Sequence, residues 1–189
     1  ICERLFDVTL KLIANNGFHG MSIGKLARMA DVSVGSIYIY FQNKDHLIRA
    51  LFSRVRDDMG CTLIAQVPPV APWQTRLDAF LDALIRYYLM HPNEFRFMEQ
   101  FGLSPYASPA QAGPQVLAQF SADVVQLLDG LYKEGLASGL VIDAPLEIIT
   151  SLVYGPILSA VKKHHLGYFH LAKKAQDQLK VGCIKALTK

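Results

Sequence analysis

The stretch DVSVGSIYIYFQNKDHL, residues 31–47, decides how the fold of this chain is interpreted. Its β-branched and aromatic side chains favour a strand, and Gly35 weakens a helix. Strand alternation, however, sorts neither side of the segment into apolar and polar residues. A helix, which Ser33 can cap, would bring four apolar residues onto one face: Val34, Ile37, Tyr38 and Phe41. We therefore predict a helix in this segment.

Short helices are predicted on both sides of this segment. Ser22 is a good cap for a helix that ends close to a turn at residues 31–33, and this spacing is typical of a helix-turn-helix. Asn43 can cap the following helix, which we expect to extend to about Gly60. A further helix over residues 2–15 precedes them. The N-terminal part is thus predicted to contain a helix-turn-helix.

The rest of the chain is also predicted to be helical. The segment QVPPVAP, residues 66–72, contains three prolines and is the clearest break, because proline cannot continue a helix. A Gly/Pro/Ser-rich loop is expected at residues 102–114, and Pro156 should kink the helix that contains it. Apolar periodicity predicts helices at about residues 73–91, 95–101, 114–138, 145–166 and 171–187. The predicted fold is therefore all-α, with about nine helices.

The composition describes a folded protein with a surplus of apolar residues. Of its 189 residues, 51% are hydrophobic and 19% are charged, and such a surplus often goes into an oligomer interface or an apolar cavity. Cys2, Cys61 and Cys183 are far apart and lack CxxC spacing, so neither a disulfide framework nor a zinc site is indicated. No apolar run could span a bilayer, and charges interrupt the first residues, so we predict a cytoplasmic protein.

The run from residue 21 to residue 52 carries a specific motif. Its elements are Ser22 at the start of helix 2, Ala27 inside that helix, Val32-Ser33 in the turn, Gly35-Ser36-Ile37-Tyr38 and Tyr40-Phe41 in helix 3, and Lys44 at the start of helix 4. This run closely resembles the DNA-binding domain of the TetR family of bacterial transcriptional regulators. The resemblance covers about the first 55 residues, and the layout of the later helices is similar to that of the family.

The resemblance implies a ligand-responsive regulator, expected to be a repressor, that binds a palindromic DNA operator as a homodimer. It implies a helix-turn-helix domain at residues 1–47 and an effector-binding and dimerisation domain at residues 48–189, with helix 4 connecting the two. The last two helices would form a four-helix bundle with those of the partner. A pocket for a small apolar or aromatic effector would lie among helices 5 to 8, and no cofactor is expected.

Nine residues are candidate DNA contacts: Ser22, Gly24, Lys25, Val34, Gly35, Ser36, Tyr38, Tyr40 and Lys44. The small residues at the start of helix 3 permit close approach to a groove, and tyrosine hydroxyl groups can donate to phosphates while their rings pack on the protein. A phosphate at the N-terminus of helix 4 would make Lys44 favourable there. Val34 can contact a thymine methyl group but cannot form a bidentate pair, so the operator sequence is left open. Taken by itself, Tyr38 would be interpreted as a core residue, and only its place in the motif favours DNA.

Two further sets of residues are candidates for the pocket and for the dimer interface. The resemblance favours five aromatic residues as pocket lining, although an aromatic core would use them equally well: Trp73, Tyr88, Phe101, Phe120 and Tyr154. A stripe of small and apolar residues on the last helix is a candidate interface, although it could instead pack within its own chain: Ala175, Leu179, Gly182, Cys183 and Ala186.

Catalysis and metal binding are not indicated. The chain has no Ser/His/Asp arrangement, no Gly-rich phosphate loop and no paired carboxylates in a catalytic context, so we predict that it is not an enzyme. The adjacent His164 and His165 point to different faces of a helix, and no carboxylate or thiol lies at ligand spacing. The alternative hypothesis is a helical small-molecule sensor whose helix-turn-helix is vestigial, because Val34 and Ile39 make the reading surface apolar.

Overall fold

A computed structural model describes residues 1–107 and 117–188, with the exception of the side chain of Leu146. Within these residues the chain forms nine α-helices, and a short 3-10 turn, Leu117–Gln119, precedes α7. The helices are α1 Cys2–Asn16, α2 Ile23–Met29, α3 Val34–Tyr40, α4 Lys44–Ile64, α5 Trp73–Met90, α6 Pro92–Gly102, α7 Ala122–Ala137, α8 Leu146–His165 and α9 Lys173–Leu187. The all-α prediction is therefore confirmed. None of the helices in the described part is long and apolar enough to span a membrane.

Side-chain caps fix the starts of α2, α3 and α4, as the sequence predicts. Ser22 Oγ accepts a hydrogen bond from the backbone N–H of Lys25 at 3.2 Å, and Ser33 Oγ accepts one from that of Ser36 at 3.0 Å. Asn43 Oδ1 accepts one from the backbone N–H three residues later, at 2.8 Å. Each cap satisfies an amide that has no partner inside its helix. The cap and the burial of Ile37 together make the strand-like segment helical.

The chain divides into two compact units. The first consists of residues 1–56 and 91–111, and the second consists of residues 57–90 and 112–189. In the first unit, α6 packs against α1, and α2 packs against both α1 and α3. In the second unit, α8 packs against α9, and α5 contacts α7, α8 and α9. The functional division after residue 47 stays a prediction.

Two helix bounds differ from those expected. Helix α4 continues through Gly60, where a Cβ would lie 2.2 Å from Ser121 Oγ, so this glycine permits close packing and does not end the helix. Helix α7 begins at Ala122, because Ser121 is extended at the N-cap position and Asp123 suits the positive end of the helix dipole. The loop expected at residues 102–114 and the helix start expected at residue 114 fall partly or wholly outside the described residues.

A buried lysine joins α5 to α9. The side chain of Lys180 on α9 is 8% exposed, and its ammonium group lies 3.1 Å from Asp78 and 3.2 Å from Asp82 on α5. Lys173, whose side chain is 65% exposed, also pairs with Asp82, at 2.8 Å. Burial by itself raises the pKa of Asp82, but the hydrogen bonds and charges of the two lysines outweigh it and lower the pKa. The ionised form of Asp82 therefore holds α9 against α5.

Candidate DNA-binding surface and ligand cavity

The outward side of α3 is apolar and uncharged. Val34, Tyr38 and Tyr40 are 44%, 50% and 45% exposed, whereas Ile37 is fully buried. Ile39 was not among the predicted contacts, yet it is 80% exposed. The vestigial hypothesis already places Ile39 on this surface, and helical spacing agrees, because Ile39 lies off the stripe that Ile37 buries. The helix thus presents two phenol hydroxyl groups and apolar surface, with no formal charge.

The first turn of α3 leaves room for close approach from outside. A Cβ on Gly35 would find only Ser33 Oγ within 4 Å, at 3.7 Å, and one on Gly24 in α2 would find nothing within that distance. Packing inside the protein therefore does not require glycine at either position. The hydroxyl group of Ser36 lies 2.8 Å from Ser33 Oγ, so this residue takes part in the cap as well as lying on the candidate surface.

The two candidate lysines are held differently. The ammonium group of Lys44 donates to the carbonyl oxygens of Phe18 at 3.0 Å and Met21 at 2.7 Å. It thereby ties the loop before α2 to the first turn of α4, and one of its three N–H groups remains available for a phosphate. The ammonium group of Lys25 makes only long contacts, at 3.4 Å to a backbone carbonyl and at 3.5 Å to the Asn16 side chain. Sequence reasoning did not foresee that Lys44 fastens this loop.

Hydrogen bonds that the sequence did not predict also stabilise the turn between α2 and α3. Asp31 adopts a positive φ of 51°, a conformation that aspartate tolerates better than most residues. Its carbonyl oxygen accepts a hydrogen bond at 3.3 Å from the guanidinium group of Arg4 on α1. The backbone N–H of Val32 donates to the carbonyl oxygen of Ala27 at 3.0 Å. These bonds set the direction in which α3 leaves α2.

The second unit contains a cavity of about 200 Å³ with a mostly apolar lining. Residues of α5, α7 and α8 form most of its wall, and the segment at residues 117–120 closes one side. Trp73, Phe120 and Tyr154 line it, and their role in binding a ligand stays a prediction. A Cβ on Gly135 of α7 would lie 2.4 Å from the Val141 side chain in the same wall, so this glycine lets the wall close.

Two residues assigned to the pocket do not line this cavity. Tyr88 is fully buried behind the wall, and its hydroxyl group lies 2.8 Å from that of Tyr154. Burial, together with the charge and hydrogen bond of Tyr154, raises the pKa of Tyr88 well above its ordinary value, so Tyr88 stays neutral. Phe101 belongs to the first unit, where its ring stacks on that of Phe52 with centroids 3.9 Å apart. Phe101 lies away from the cavity because α6, the helix that carries it, packs on α1.

The candidate dimer stripe on α9 is only partly accessible. Gly182 and Ala186 are exposed, and Ala175 and Leu179 are half-buried. Cys183 is buried instead, and its thiol lies 3.6 Å from the carbonyl oxygen of Val153 on α8, so it packs within its own chain. Burial raises the pKa of this thiol, although a backbone hydrogen bond opposes the change. On the accessible side, sequence reasoning missed two apolar residues that are each 50% exposed: Ile148 on α8 and Val181 on α9.

Two histidines near the end of α8 form hydrogen bonds with backbone groups of the same chain. His164 Nδ1 accepts a hydrogen bond from the backbone N–H of Leu171 at 3.3 Å, and His165 Nε2 lies 2.9 Å from the carbonyl oxygen of Tyr88. A carbonyl oxygen can only accept, so His165 Nε2 carries the proton. In the described parts of the chain, no group of three or more His, Cys, Asp or Glu residues could hold a metal ion.

Comparison with known proteins agrees with this geometry. Residues 5–51 match the model of the bacterial regulatory proteins of the tetR family. The fatty acid metabolism regulator protein of Bacillus subtilis (strain 168) is 22% identical over 155 residues, which cover 82% of this chain and 78% of that protein. The transcriptional repressor KstR of Mycobacterium tuberculosis (strain H37Rv) is 27% identical over 141 residues, which cover 72% and 59%.

Solved structures show the same fold. A TetR family transcription regulator from Marinobacter aquaeolei VT8 superposes with a TM-score of 0.87 at 23% identity, over 100% of this chain and 95% of that one. Residues 5–51 therefore match the DNA-binding segment of the tetR family, and the described part of the chain has the fold of a solved TetR family regulator.

Proposed function

We propose that this regulator is a homodimeric repressor, which binds a palindromic operator in the cytoplasm and is released by a small apolar effector. The observation that carries the proposal is the helix-turn-helix of α2 and α3, which its caps and the Arg4 bond hold in place and which matches the tetR family model. The exposed apolar side of α3 needs a partner, and a short helix that begins with small residues suits the major groove. The KstR relative is named as a repressor, which supports repression here.

The DNA contacts proposed for α3 and its surroundings have distinct roles. The hydroxyl groups of Tyr38 and Tyr40 would donate to phosphates, and Val34 would contact a thymine methyl group. Lys25 and Lys44 would supply charge to phosphates beside the groove. The remaining small and polar residues of the predicted set would allow close approach or bond to the backbone: Ser22, Gly24, Gly35 and Ser36.

Dimer formation is proposed through the accessible sides of α8 and α9. Gly182 and Ala186 allow close approach of a partner helix, and Ile148 and Val181 add apolar area that is exposed in the single chain. Operators of twofold symmetry require two reading heads, so a protein that is monomeric at operator-saturating concentration would contradict this part of the proposal. Analytical ultracentrifugation of the wild type and of Val181→Glu tests it.

Helix α4 is proposed to carry the effector signal. It is one continuous helix from Lys44 to Ile64, and it packs tightly at Gly60 against Ser121, the residue after Phe120 in the cavity wall. A ligand that displaces Phe120 would therefore press on α4, whose first turn holds the loop before α2. The Bacillus subtilis relative is named for fatty acid metabolism, so aliphatic chains are the first effectors to test.

The central experiment selects DNA from a random pool with the purified protein and measures binding of the selected duplex by gel shift. Tyr38→Ala should weaken the complex at least tenfold, because the proposed bond from the Tyr38 hydroxyl group to phosphate and the contact area of its ring are lost together. Tyr168→Ala is the matched control, since Tyr168 is 76% exposed and lies outside the candidate surface. If no sequence is enriched and only a diffuse smear forms at low salt, the helix-turn-helix is vestigial and the protein is a sensor without an operator.

A further inference from the structure

The described wall of the cavity carries almost no charged side chains. Among the residues that the structure describes, its lining includes no lysine, arginine or histidine, and Asp129 is the single charged residue. Asp129 is exposed and pairs with Lys133 at 2.8 Å, so its carboxylate lies at the solvent side of the wall. The undescribed residues 108–116 also contain no lysine, arginine or histidine in the sequence. The described part of the wall therefore supplies no cation to balance an anionic ligand.

The polar side chains of the wall already donate their protons within the protein. Three of these side chains donate to backbone carbonyl oxygens: Trp73 Nε1 to Leu131 at 2.7 Å, the Tyr132 hydroxyl to Ala144 at 2.8 Å, and the Thr150 hydroxyl to Glu147 at 3.1 Å. The fourth, the Tyr154 hydroxyl, donates to Gln119 Oε1 at 3.0 Å. A carboxylate that entered the cavity would have to break one of these bonds to gain a donor.

These two features decide which ligands can enter. An ionised group loses its hydration on burial, and the described wall offers neither an opposite charge nor a free donor to replace that hydration. An apolar group has no comparable hydration to lose, and its removal from water contributes favourably to the free energy of binding. The volume of about 200 Å³ exceeds that of an engineered apolar cavity of about 150 Å³ that takes up benzene, so a ring or a medium-length aliphatic chain has room.

We propose that the cavity takes up uncharged apolar molecules and excludes carboxylates, because its described wall offers a carboxylate neither a cation nor a free donor. The physiological relevance of this selectivity rests on the proposed effector role of the cavity. The selectivity itself does not depend on DNA, and it can be measured on the regulator alone.

The test uses the sole tryptophan of the chain, Trp73, whose ring lies in the wall and whose fluorescence should respond to occupancy. The probes are 1-octanol, octanoate and octylammonium at neutral pH, which share one chain length. We expect 1-octanol to bind at least tenfold more tightly than octanoate, and also more tightly than octylammonium. In Asp129→Asn, Lys133 loses this partner at the solvent side, so octanoate should gain severalfold while 1-octanol is unchanged. Equal binding of octanoate and 1-octanol, or tighter binding of either ion, would overturn the proposal.

Two cavity-filling variants show whether the signal comes from this site. Val153→Phe and Leu128→Phe each place a larger side chain in the wall, so either folded variant should lose most of the response to 1-octanol. A full response in a folded variant would overturn the location. Release of operator DNA is measured separately. If 1-octanol binds with the expected preference but no uncharged ligand releases operator, the proposed effector function fails and the selectivity stands.

Discussion

Replacement of Lys44 with methionine separates two roles of this lysine. Its ammonium group donates to two carbonyl oxygens at 2.7 and 3.0 Å in a half-buried setting. Hydrogen bonds from charged groups contribute about 1.5–3 kcal/mol each where water is excluded. Because solvent reaches this site in part and can replace the lysine, we expect both bonds together to contribute about 2–3 kcal/mol to the free energy of unfolding.

The second role would appear in the salt dependence of DNA binding. If the remaining N–H group of Lys44 contacts a phosphate, each subunit of the dimer neutralises one phosphate fewer in the variant. The slope of log Kobs against log salt concentration should then become shallower by about 2 per dimer. Fluorescence anisotropy on an operator duplex measures this slope, and urea denaturation measures the stability.

Lys25→Met is the matched control for Lys44→Met. The ammonium group of Lys25 has only long contacts of 3.4 and 3.5 Å, so its loss should change stability by less than about 0.5 kcal/mol. The salt slope should change as much as in Lys44→Met. An unchanged slope in Lys44→Met would show that this lysine does not contact phosphate, and unchanged stability would refute the role assigned to its two carbonyl bonds.

Further predictions concern the second unit, and urea denaturation checks each of them. Lys180→Met should cost about 1–2 kcal/mol because a buried lysine is lost while Asp82 keeps its pair with Lys173 and Asp78 is half-exposed, whereas the exposed Lys173→Met should cost less than about 1 kcal/mol. Because the pKa of Asp82 is lower in the folded protein than its ordinary value of 3.8, ionised Asp82 stabilises the fold above pH 3.8, and this stabilisation is lost as the pH falls through the folded pKa. The loss of stability caused by Lys180→Met should therefore become smaller in acid. Gly135→Ala should cost about 1–3 kcal/mol, because the new Cβ would lie only 2.4 Å from the Val141 side chain. Gly130→Ala on the same helix should instead stabilise the protein by about 0.5–1 kcal/mol, because a Cβ there meets nothing within 4 Å.

Local signals in the sequence were sufficient for the helix-turn-helix. Ser22, Ser33 and Asn43 each cap the helix for which they were chosen, and cap chemistry acts over three residues. Ser121 also occupies an N-cap position, although its side chain makes no cap hydrogen bond, and apolar periodicity across residues 117–124 concealed this helix start. Local rules therefore account for the shape of the helix-turn-helix, and the role of its residues in DNA binding stays a prediction.

Contacts between distant residues were not accessible in this way. Lys44 bonds to carbonyl oxygens 23 and 26 residues earlier, and backbone carbonyls leave no sign in a side-chain pattern. The apolar face of α6 is compatible with either unit, so its periodicity could not place Phe101. On α9, the pattern does not distinguish the side that faces α8 from the accessible side, and Cys183 was therefore assigned to the wrong one.

The absence of formal charge on α3 has a consequence for how the protein searches a genome. Non-specific affinity comes from phosphate neutralisation, and a reading helix that adds nothing to it leaves fewer molecules held on random DNA. Genomic DNA offers a very large excess of competing sites, so what matters is the ratio of operator affinity to background affinity. We therefore expect this regulator to occupy its operator at low copy number, with little of the cellular pool lost to the rest of the chromosome.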